Sequence, residues 1–435
     1  MQMIKICDAI MGSGKSSSAI TYINEHPEKK YLYIAPYLTE ATRIKEACQD
    51  SKFVEPSDNI KEYGFSKARH TMALVERGRN VTTTHQAVRY YTPETLELLK
   101  KQNYTILIDE EINVFQQTQS ISDGDVIALE KAGLLTVDEY GCLSRTDDTY
   151  TGTAFSELFD LMDTRHIVRI DGSAGYPASW YSIYPKEFLE AANEVIVMTY
   201  MFRGSEMEIF LKINHLDYTF IGIEYKDGVY RFTEDLDDDA YVPDYVGNIK
   251  NMIHILDDKK MNSIGDAPTA LSKSWYKNTD SFVTLRSNLN NFFRHKTSST
   301  SSDRICGMYA DERAWDKIKD NGFAKSNLSF NCRATNEYRE KDTIAYIVNL
   351  YCNVGIKLYY KKHGYDLDDE RYALSTMVQF LWRSAIRDGK EIWLYLPSKR
   401  MRTLLLDWME NLTKGGAAAN ETTEVRQVSV FPDAM

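Results

Sequence analysis

Near the start of the chain, Ala9-Ile10-Met11-Gly12-Ser13-Gly14-Lys15-Ser16-Ser17 gathers two glycines, a lysine and three hydroxyls into one short stretch. The order fits the pattern [AG]-x4-G-K-[ST], with Ala9 in the first slot and Gly14, Lys15 and Ser16 in the last three. Glycines let the backbone bend so that successive N–H groups converge on phosphate oxygens at a helix N-terminus. Met11, Gly12, Ser13, Gly14, Lys15, Ser16 and Ser17 would then cradle the phosphates of ATP, with Lys15 reaching the β- and γ-phosphates. The Ser16 hydroxyl would ligate Mg²⁺. A Gly/Ser-rich turn could match by chance. Against that, an apolar run at residues 4–7 precedes the loop and a helix is expected from Lys15, which is where the mechanism needs them.

A second group lies at 105–111, where Thr105-Ile106-Leu107-Ile108 runs straight into Asp109, Glu110 and Glu111. A buried strand ending in carboxylates suits a hydrolytic site, with Asp109 on Mg²⁺ and Glu110 orienting and deprotonating the attacking water. A helix start lined with acids to suit the dipole would explain Glu111 but explains the other two poorly. A third group is Gln379, Arg383 and Arg387. Four-residue steps put them on one face of a helix expected over 372–388, opposite Leu374, Met377, Val378, Leu381 and Ala385. Alone, such a face is ordinary solvated surface. With a phosphate loop and an acidic strand end upstream, Arg383 and Arg387 become candidates for bringing positive charge to a γ-phosphate from a second domain.

The elements that must hold these residues follow from the alternation of apolar runs. Runs at 4–7, 31–35, 80–84, 104–108 and 195–198 are separated by stretches long enough for crossover helices, the pattern of a doubly wound parallel sheet. Ligands of such sheets bind at the carboxyl ends of the strands. The loop, Ala35-Pro36, Thr83-Thr84-His85-Gln86, the acids and Thr199 all fall there. The expected division is a first α/β domain over 1–202 with a helical insertion at about 113–193, an acidic region with a β-hairpin over 203–302, a second α/β domain over 303–412, and a mobile tail over 413–435. Within the acidic region, strands are expected at 208–212, 218–224 and 229–232, with Asp227-Gly228 as the hairpin turn. Thr199 would either couple hydrolysis to the second domain or simply cap its strand.

Composition narrows the class. The 435 residues are 43% hydrophobic and 12% aromatic, enough for folded cores and unlike a disordered chain. Six cysteines without a C-x2-C pair read as reduced thiols in a cytoplasmic protein, not as a disulfide frame or zinc site. No apolar stretch approaches the roughly 18 residues of a membrane span, and residues 1–8 lack the features of a signal peptide. The net charge of −11 is concentrated in residues 216–260, which hold 11 acidic and 5 basic side chains. A motor that grips a backbone through a narrow groove needs local positive sites and not a global excess, so this balance leaves nucleic acid open as a partner. The acid run at 235–239 reads as a solvated turn, and the basic and aromatic stretch at 271–277 could clamp a strand by charge and stacking.

Taken in order, AIMGSGKS, Ala35-Pro36, TTHQ at 83–86, DEEI at 109–112, CRATN at 332–336 and QFLWRSAIR at 379–387 resemble the motifs of superfamily-2 helicases, closest to the phage-type DEAD/DEAH-box helicases. The likeness runs from about Asp8 to Trp408. It implies an α/β chain of two RecA-like parallel-sheet domains in tandem with a β-rich, irregular insertion between them. The implied activity is an ATP- and Mg²⁺-dependent helicase or translocase acting on nucleic acid, DNA rather than RNA. The implied setting is phage replication, recombination or repair in the host cytoplasm, as a monomer, with phage or host replication proteins as further partners. By the same resemblance Pro36, Thr84 and His85 lie near the nucleic-acid track or its coupling to ATP. Arg333, Thr335 and Asn336 contact the backbone or relay the nucleotide state, and Gln379, Arg383 and Arg387 face ATP. Two other classes share part of the pattern. A terminase-like packaging ATPase would add metal-dependent DNA cleavage, and a nucleotide-gated switch would bind ATP without turnover stimulated by nucleic acid.

Overall fold

The computed structural model describes residues 3–118, 121–147, 149–150, 154–164, 166–172, 178–236, 241–332 and 337–415. Its first strands are Met3–Asp8 (β1), Lys30–Ala35 (β2), Val81–Thr84 (β3) and Tyr104–Asp109 (β4). Phe115–Thr118 (β5), Leu135–Val137 (β6), Leu143–Arg145 (β7), His166–Ile170 (β8) and Ser179–Ile183 (β9) intervene before Glu194–Thr199 (β10) and Tyr218–Phe220 (β11) return to the main sheet. That sheet runs β11-β1-β10-β4-β2-β3 and is parallel throughout. Parallel strands covered by helices on both faces need near-continuous apolar sequence, and every residue of β4 is buried. The order puts β10 between β1 and β4, in a register that pairs Asp8 with Thr199 and Met198 with Asp109. The ends carrying the glycine-rich loop and the acids therefore flank the end of a single strand.

The insertion is not helical throughout. It holds an antiparallel sheet, β5-β9-β8, and the hairpin β6-β7 beside the helices Asp123–Lys131 and Ser156–Thr164. Its strands pair with partners up to 68 residues away, Phe115 with Ile183, so local pattern does not reveal them. After β11 comes the hairpin of Gly222–Lys226 (β12) and Val229–Thr233 (β13), turned at Asp227 and Gly228 with both φ angles left-handed, as a two-residue hairpin loop requires. The strand expected at 208–212 is instead part of the helix Glu206–Ile213.

A second parallel sheet is formed by Ile253–Ile255 (β14), Arg304–Met308 (β15), Asn327–Ser329 (β16), Thr343–Tyr346 (β17) and Ile392–Tyr395 (β18), in the order β14-β18-β17-β15-β16. The region expected as an acidic linker, 203–302, is thus divided. β11 extends the first sheet, whereas β14 and the helices that carry Tyr276, Leu285 and Leu289 belong to the second sheet and its core. The first sheet is the one that the alternation predicts, and two parallel α/β sheets in tandem are the fold class that the resemblance implies. Each domain also lends side chains to the other. Tyr200 and Met201 lie in the second core, and Ile356, Tyr359, Tyr360 and Leu367 lie in the first. The latter come from the helix Val354–Lys362 and the turn after it, which clasp the insertion through Phe115 against Tyr359 and Tyr360, Asn353 on Tyr181, and Lys362 on Asp171. No helix among the described residues is long and apolar enough to cross a membrane.

Candidate active site

β1 ends at Asp8, whose carboxylate accepts the N–H groups of Met201 at 2.8 Å and Phe202 at 3.0 Å and so anchors the turn after β10. The loop then bends through Gly12 (φ 76) and Gly14 (φ 90), left-handed conformations that glycine adopts without steric cost. The helix Lys15–Glu25 starts with Ser18 N–H donating to the Gly14 carbonyl at 2.8 Å. Met11, Gly12, Gly14, Lys15, Ser16 and Ser17 face a cavity of about 270 Å³, while Ser13 is buried beside it. The Lys15 ammonium donates to the carbonyls of Ala9 and, at 3.1 Å, Ile10. Desolvation pushes its pKa down, and Asp109, Asp8 and Glu110 act against that.

Asp109 and Glu110 line the same cavity at the end of β4. Burial pushes the Asp109 carboxyl up to about 6, reinforced by the charges of Glu110 and Glu40 and opposed by the Tyr33 hydroxyl, which donates to Asp109 Oδ2 at 3.1 Å. Glu110 has φ 66, a left-handed backbone on a residue with a side chain. That conformation costs about 1–2 kcal/mol and tends to persist at functional turns. Its N–H donates to the Met198 carbonyl at 2.9 Å, and the Ala9 N–H donates to the Thr199 carbonyl at 3.0 Å. The Thr199 hydroxyl donates to Glu111 at 3.2 Å. The end of β10 is therefore hydrogen-bonded to the glycine-rich loop on one side and to the acidic turn on the other.

Gln379, Arg383 and Arg387 reach this cavity from the second domain, though not along one helix. The helix Asp369–Leu381 stops before Arg383, and Arg387 lies in a separate 3-10 turn, Ala385–Asp388. The break occurs where the Ala385 N–H donates across the chain to the Lys341 carbonyl at 2.8 Å, while Gly389, left-handed at φ 73, ends the turn. Arg383, buried, donates to Glu110 Oε1 at 2.7 Å. Arg387 is half-buried; desolvation and then the neighbouring Arg383 lower its pKa, and Glu40 acts in the opposite sense.

A second, larger compartment of about 410 Å³ shares Gln379 with the first and is lined by Pro36, Tyr37, His85, Glu111, Phe115 and Arg371, among others. His85 Nε2 donates to the backbone carbonyl of Asp109 at 2.8 Å. Thr84 caps the short helix His85–Val88, its hydroxyl accepting the Ala87 N–H at 3.4 Å. Arg333, Thr335 and Asn336 lie outside the described residues.

Four further residues of the first cavity are not evident from sequence: Glu40 and Arg43, a buried acid paired with a base at 3.1 Å on the helix Leu38–Ala47, and the aromatic Tyr230 and Trp382. Position 40 follows the Ala35-Pro36 strand end, so only its nearness to that strand end could have pointed to it. Tyr230 comes from the hairpin and carries no local sign.

Comparison with known proteins gives three results. Residues 247–409 match the model of the YonV C-terminal Rossmann-like domain. Among solved structures, Xpd4 of S. tokodaii superposes with a TM-score of 0.47 at 9% identity over 94% of each chain, and the DUF1998 helicase MrfA, bound to DNA and AMPPNP, with a TM-score of 0.36 at 9% identity over 94% of this chain and 48% of that one. Over 424 residues the chain is 30% identical to the SPbeta prophage-derived protein YonV of Bacillus subtilis strain 168, covering 94% of this chain and 100% of that protein. A likeness of that extent, spanning both sheets and the cleft between them, makes this chain a member of the YonV family.

Proposed function

We propose that the chain is a nucleotide-driven motor of the superfamily-2 type. It hydrolyses ATP with Mg²⁺ between its two α/β domains and couples closure of that cleft to movement along, or unwinding of, DNA. The observation that carries this reading is the meeting of Lys15, Glu110 and Arg383 at one cavity, with the arginine supplied by the other domain. The residues fit the nucleotide and the cation. Gly12 and Gly14 hold the left-handed bends of a phosphate cradle, and a Cβ at Gly14 would strike Tyr230. Asp109 is a carboxyl raised in pKa by burial and by the charges of Glu110 and Glu40, which the Lys15 ammonium and the Tyr33 hydroxyl offset only in part. Ser16 and Asp109 would hold the Mg²⁺, which when bound supplies Lewis-acid charge to the phosphate oxygens.

Lys15 would exchange the carbonyls of Ala9 and Ile10 for phosphate oxygens. Glu110 would orient the attacking water and take its proton, and Arg383 would turn from Glu110 toward the charge that develops in the transition state. Arg387 and Gln379 would complete the far wall. Thr199, bonded through its carbonyl to the loop and through its hydroxyl to Glu111, would pass the state of the loop to the acidic turn. Pro36, Thr84 and His85 would meet the nucleic acid in or beside the second compartment. The prophage source of the relative supports a role in phage replication, recombination or repair in a bacterial cytoplasm, alone or with replication proteins.

The test is ATP hydrolysis by the purified protein with and without single-stranded DNA, duplex DNA and RNA, with Lys15→Ala as the blank. Stimulation by one polymer identifies the track. Turnover indifferent to all three would favour the nucleotide switch, a reading that the clasp of Val354–Lys362 on the insertion also suits, because it restrains separation of the domains.

A further inference from the structure

The glycine-rich loop opens with a tight turn. The Ser13 N–H donates to the Ile10 carbonyl at 3.3 Å, and of the two residues between them Gly12 is left-handed at φ 76 while Met11 is not. That combination is a type II turn. Types I and II differ by rotation of the central peptide, here Met11–Gly12, through about 180°. The closing hydrogen bond survives the rotation, and glycine at the third position accepts either sign of φ. The turn alone does not decide which way round the peptide lies.

Tyr245 decides it. Its hydroxyl donates to the Met11 carbonyl, and its ring edge lies 3.5 Å from where a Cβ on Gly12 would stand. Burial raises the pKa of this phenol, which therefore stays protonated and a donor. Tyr245 lies in the 3-10 turn Asp244–Asn248 and packs with Val246 on the second core, as do Ile10 and Met11 themselves. Its ring meets Trp382 at 5.5 Å, Trp382 meets Trp408 edge-on at 5.7 Å, and the Trp408 indole N–H donates to the Tyr200 hydroxyl at 2.8 Å. Tyr200 follows Thr199, whose carbonyl accepts the Ala9 N–H. The loop is thus held at Ala9 by its own sheet and at Met11 by the second domain. In a planar trans peptide the C=O and N–H point opposite ways. Met11 and Gly12 face the cavity, whereas Tyr245 stands outside its lining. A carbonyl bonded to Tyr245 turns the Gly12 N–H the other way; the reversed peptide would bring the carbonyl's partial negative charge to a loop whose use is to collect anions.

We propose that Tyr245 is a positioning residue of the nucleotide site: its hydroxyl keeps the Met11–Gly12 peptide with the N–H toward the cavity, so that the second domain sets the anion affinity of a loop belonging to the first. This rests on the nucleotide reading given above. Without the hydroxyl the turn is free to reverse, and every ligand with the phosphate chain binds more weakly, whatever its base.

Titration calorimetry with ATP and inorganic triphosphate, together with steady-state ATPase rates, tests this on the full chain as wild type, Lys15→Ala and Tyr245→Phe. Tyr245→Phe is expected to bind both ligands about tenfold more weakly, in the same proportion, and to raise KM by about the same factor while kcat stays within about twofold. A merely structural role would reduce the active fraction, and so kcat, and leave KM where it was. The proposal is overturned if Tyr245→Phe keeps the wild-type affinity for triphosphate, or if its loss lies in kcat alone. A second measurement needs no variant. Met-Gly occurs once in the sequence, at residues 11 and 12, so isotope labels in the methionine carbonyls and glycine nitrogens give a single carbonyl–amide NMR correlation, from this peptide. Triphosphate should shift its amide proton, and an unmoved signal at saturating triphosphate equally overturns the proposal. Triphosphate binding that depends on Lys15 but not on Tyr245 removes only the positioning assignment. Failure of the wild type to bind ATP or triphosphate removes the nucleotide reading as well.

Discussion

Arg383 Nη2 stands 2.7 Å from Glu110 Oε1, an ion pair that joins a buried arginine of one domain to a glutamate of the other whose backbone is held left-handed. In the proposed reaction this pair links chemistry to domain position. Neither side chain can turn to a phosphate or a water without loosening the contact that spans the cleft.

Arg383→Ala is expected to lower kcat for ATP by about 10³-fold or more, in the range of an arginine acting on the transferring phosphate, and Arg383→Lys should not restore it. Arg387→Ala, without the direct contact to Glu110, should cost about tenfold. Steady-state ATPase rates decide; a larger loss at Arg387 would transfer the role to that residue.

Replacing Glu110 with Gln should leave ATP binding near the wild-type value and reduce hydrolysis by about 10²- to 10⁴-fold, the usual contribution of a positioned base. Lys15→Ala should lose binding itself. Circular dichroism should show both variants folded, and wild-type turnover in either would sink the catalytic assignment.

Asp109, pushed up to about 6 by burial, gives two pH effects. Hydrolysis should fall with a midpoint near pH 6 at low Mg²⁺, and the acid limb should move to lower pH as Mg²⁺ is raised, because the cation favours the ionised carboxylate. For stability, the folded pKa lies above the unfolded value of about 3.9. The neutral carboxyl is therefore favoured in the fold, and the stability linked to it is complete below about pH 4 and lost as pH rises through 6. Without nucleotide or Mg²⁺, Asp109→Asn should be more stable than the wild type at pH 8 by up to about 3 kcal/mol and no more stable at pH 4. Denaturant titrations at the two pH values check the sign.

The clasp can be weighed directly. Phe115 meets Tyr181, Tyr359 and Tyr360 edge-on at 6.1, 5.2 and 5.4 Å. Phe115→Ala should destabilise the chain by about 3–5 kcal/mol. A double-mutant cycle with Tyr360→Leu should return a coupling of about 0.5–1.5 kcal/mol; additivity would mean that the two rings do not act together.

The glycine-rich turn after β1 and the acids of β4, which the structure brings to one cavity, are legible from sequence because each is a short local pattern at the end of an apolar strand. Arg383 and Arg387 are found by a period that the backbone does not keep, since a hydrogen bond to Lys341, remote in sequence, breaks the helix between them. Residues 208–212 read as a strand on their apolar run, yet Ser205-Glu206-Met207-Glu208 is a capping signal, and in the helix Glu206–Ile213 the Ser205 hydroxyl accepts the Glu208 N–H at 3.2 Å. Glu40, Tyr230 and the antiparallel strands of the insertion owe their places to contacts with distant segments, which no local periodicity encodes.

The exchange of side chains between the two cores has a consequence for how the molecule comes apart. Tyr200 and Met201 finish one hydrophobic cluster from the first domain, and Ile356, Tyr359, Tyr360 and Leu367 finish the other from the second. Melting either half would strip apolar groups from its neighbour, so heat or denaturant meets one cooperative unit where two sheets would otherwise unfold in sequence.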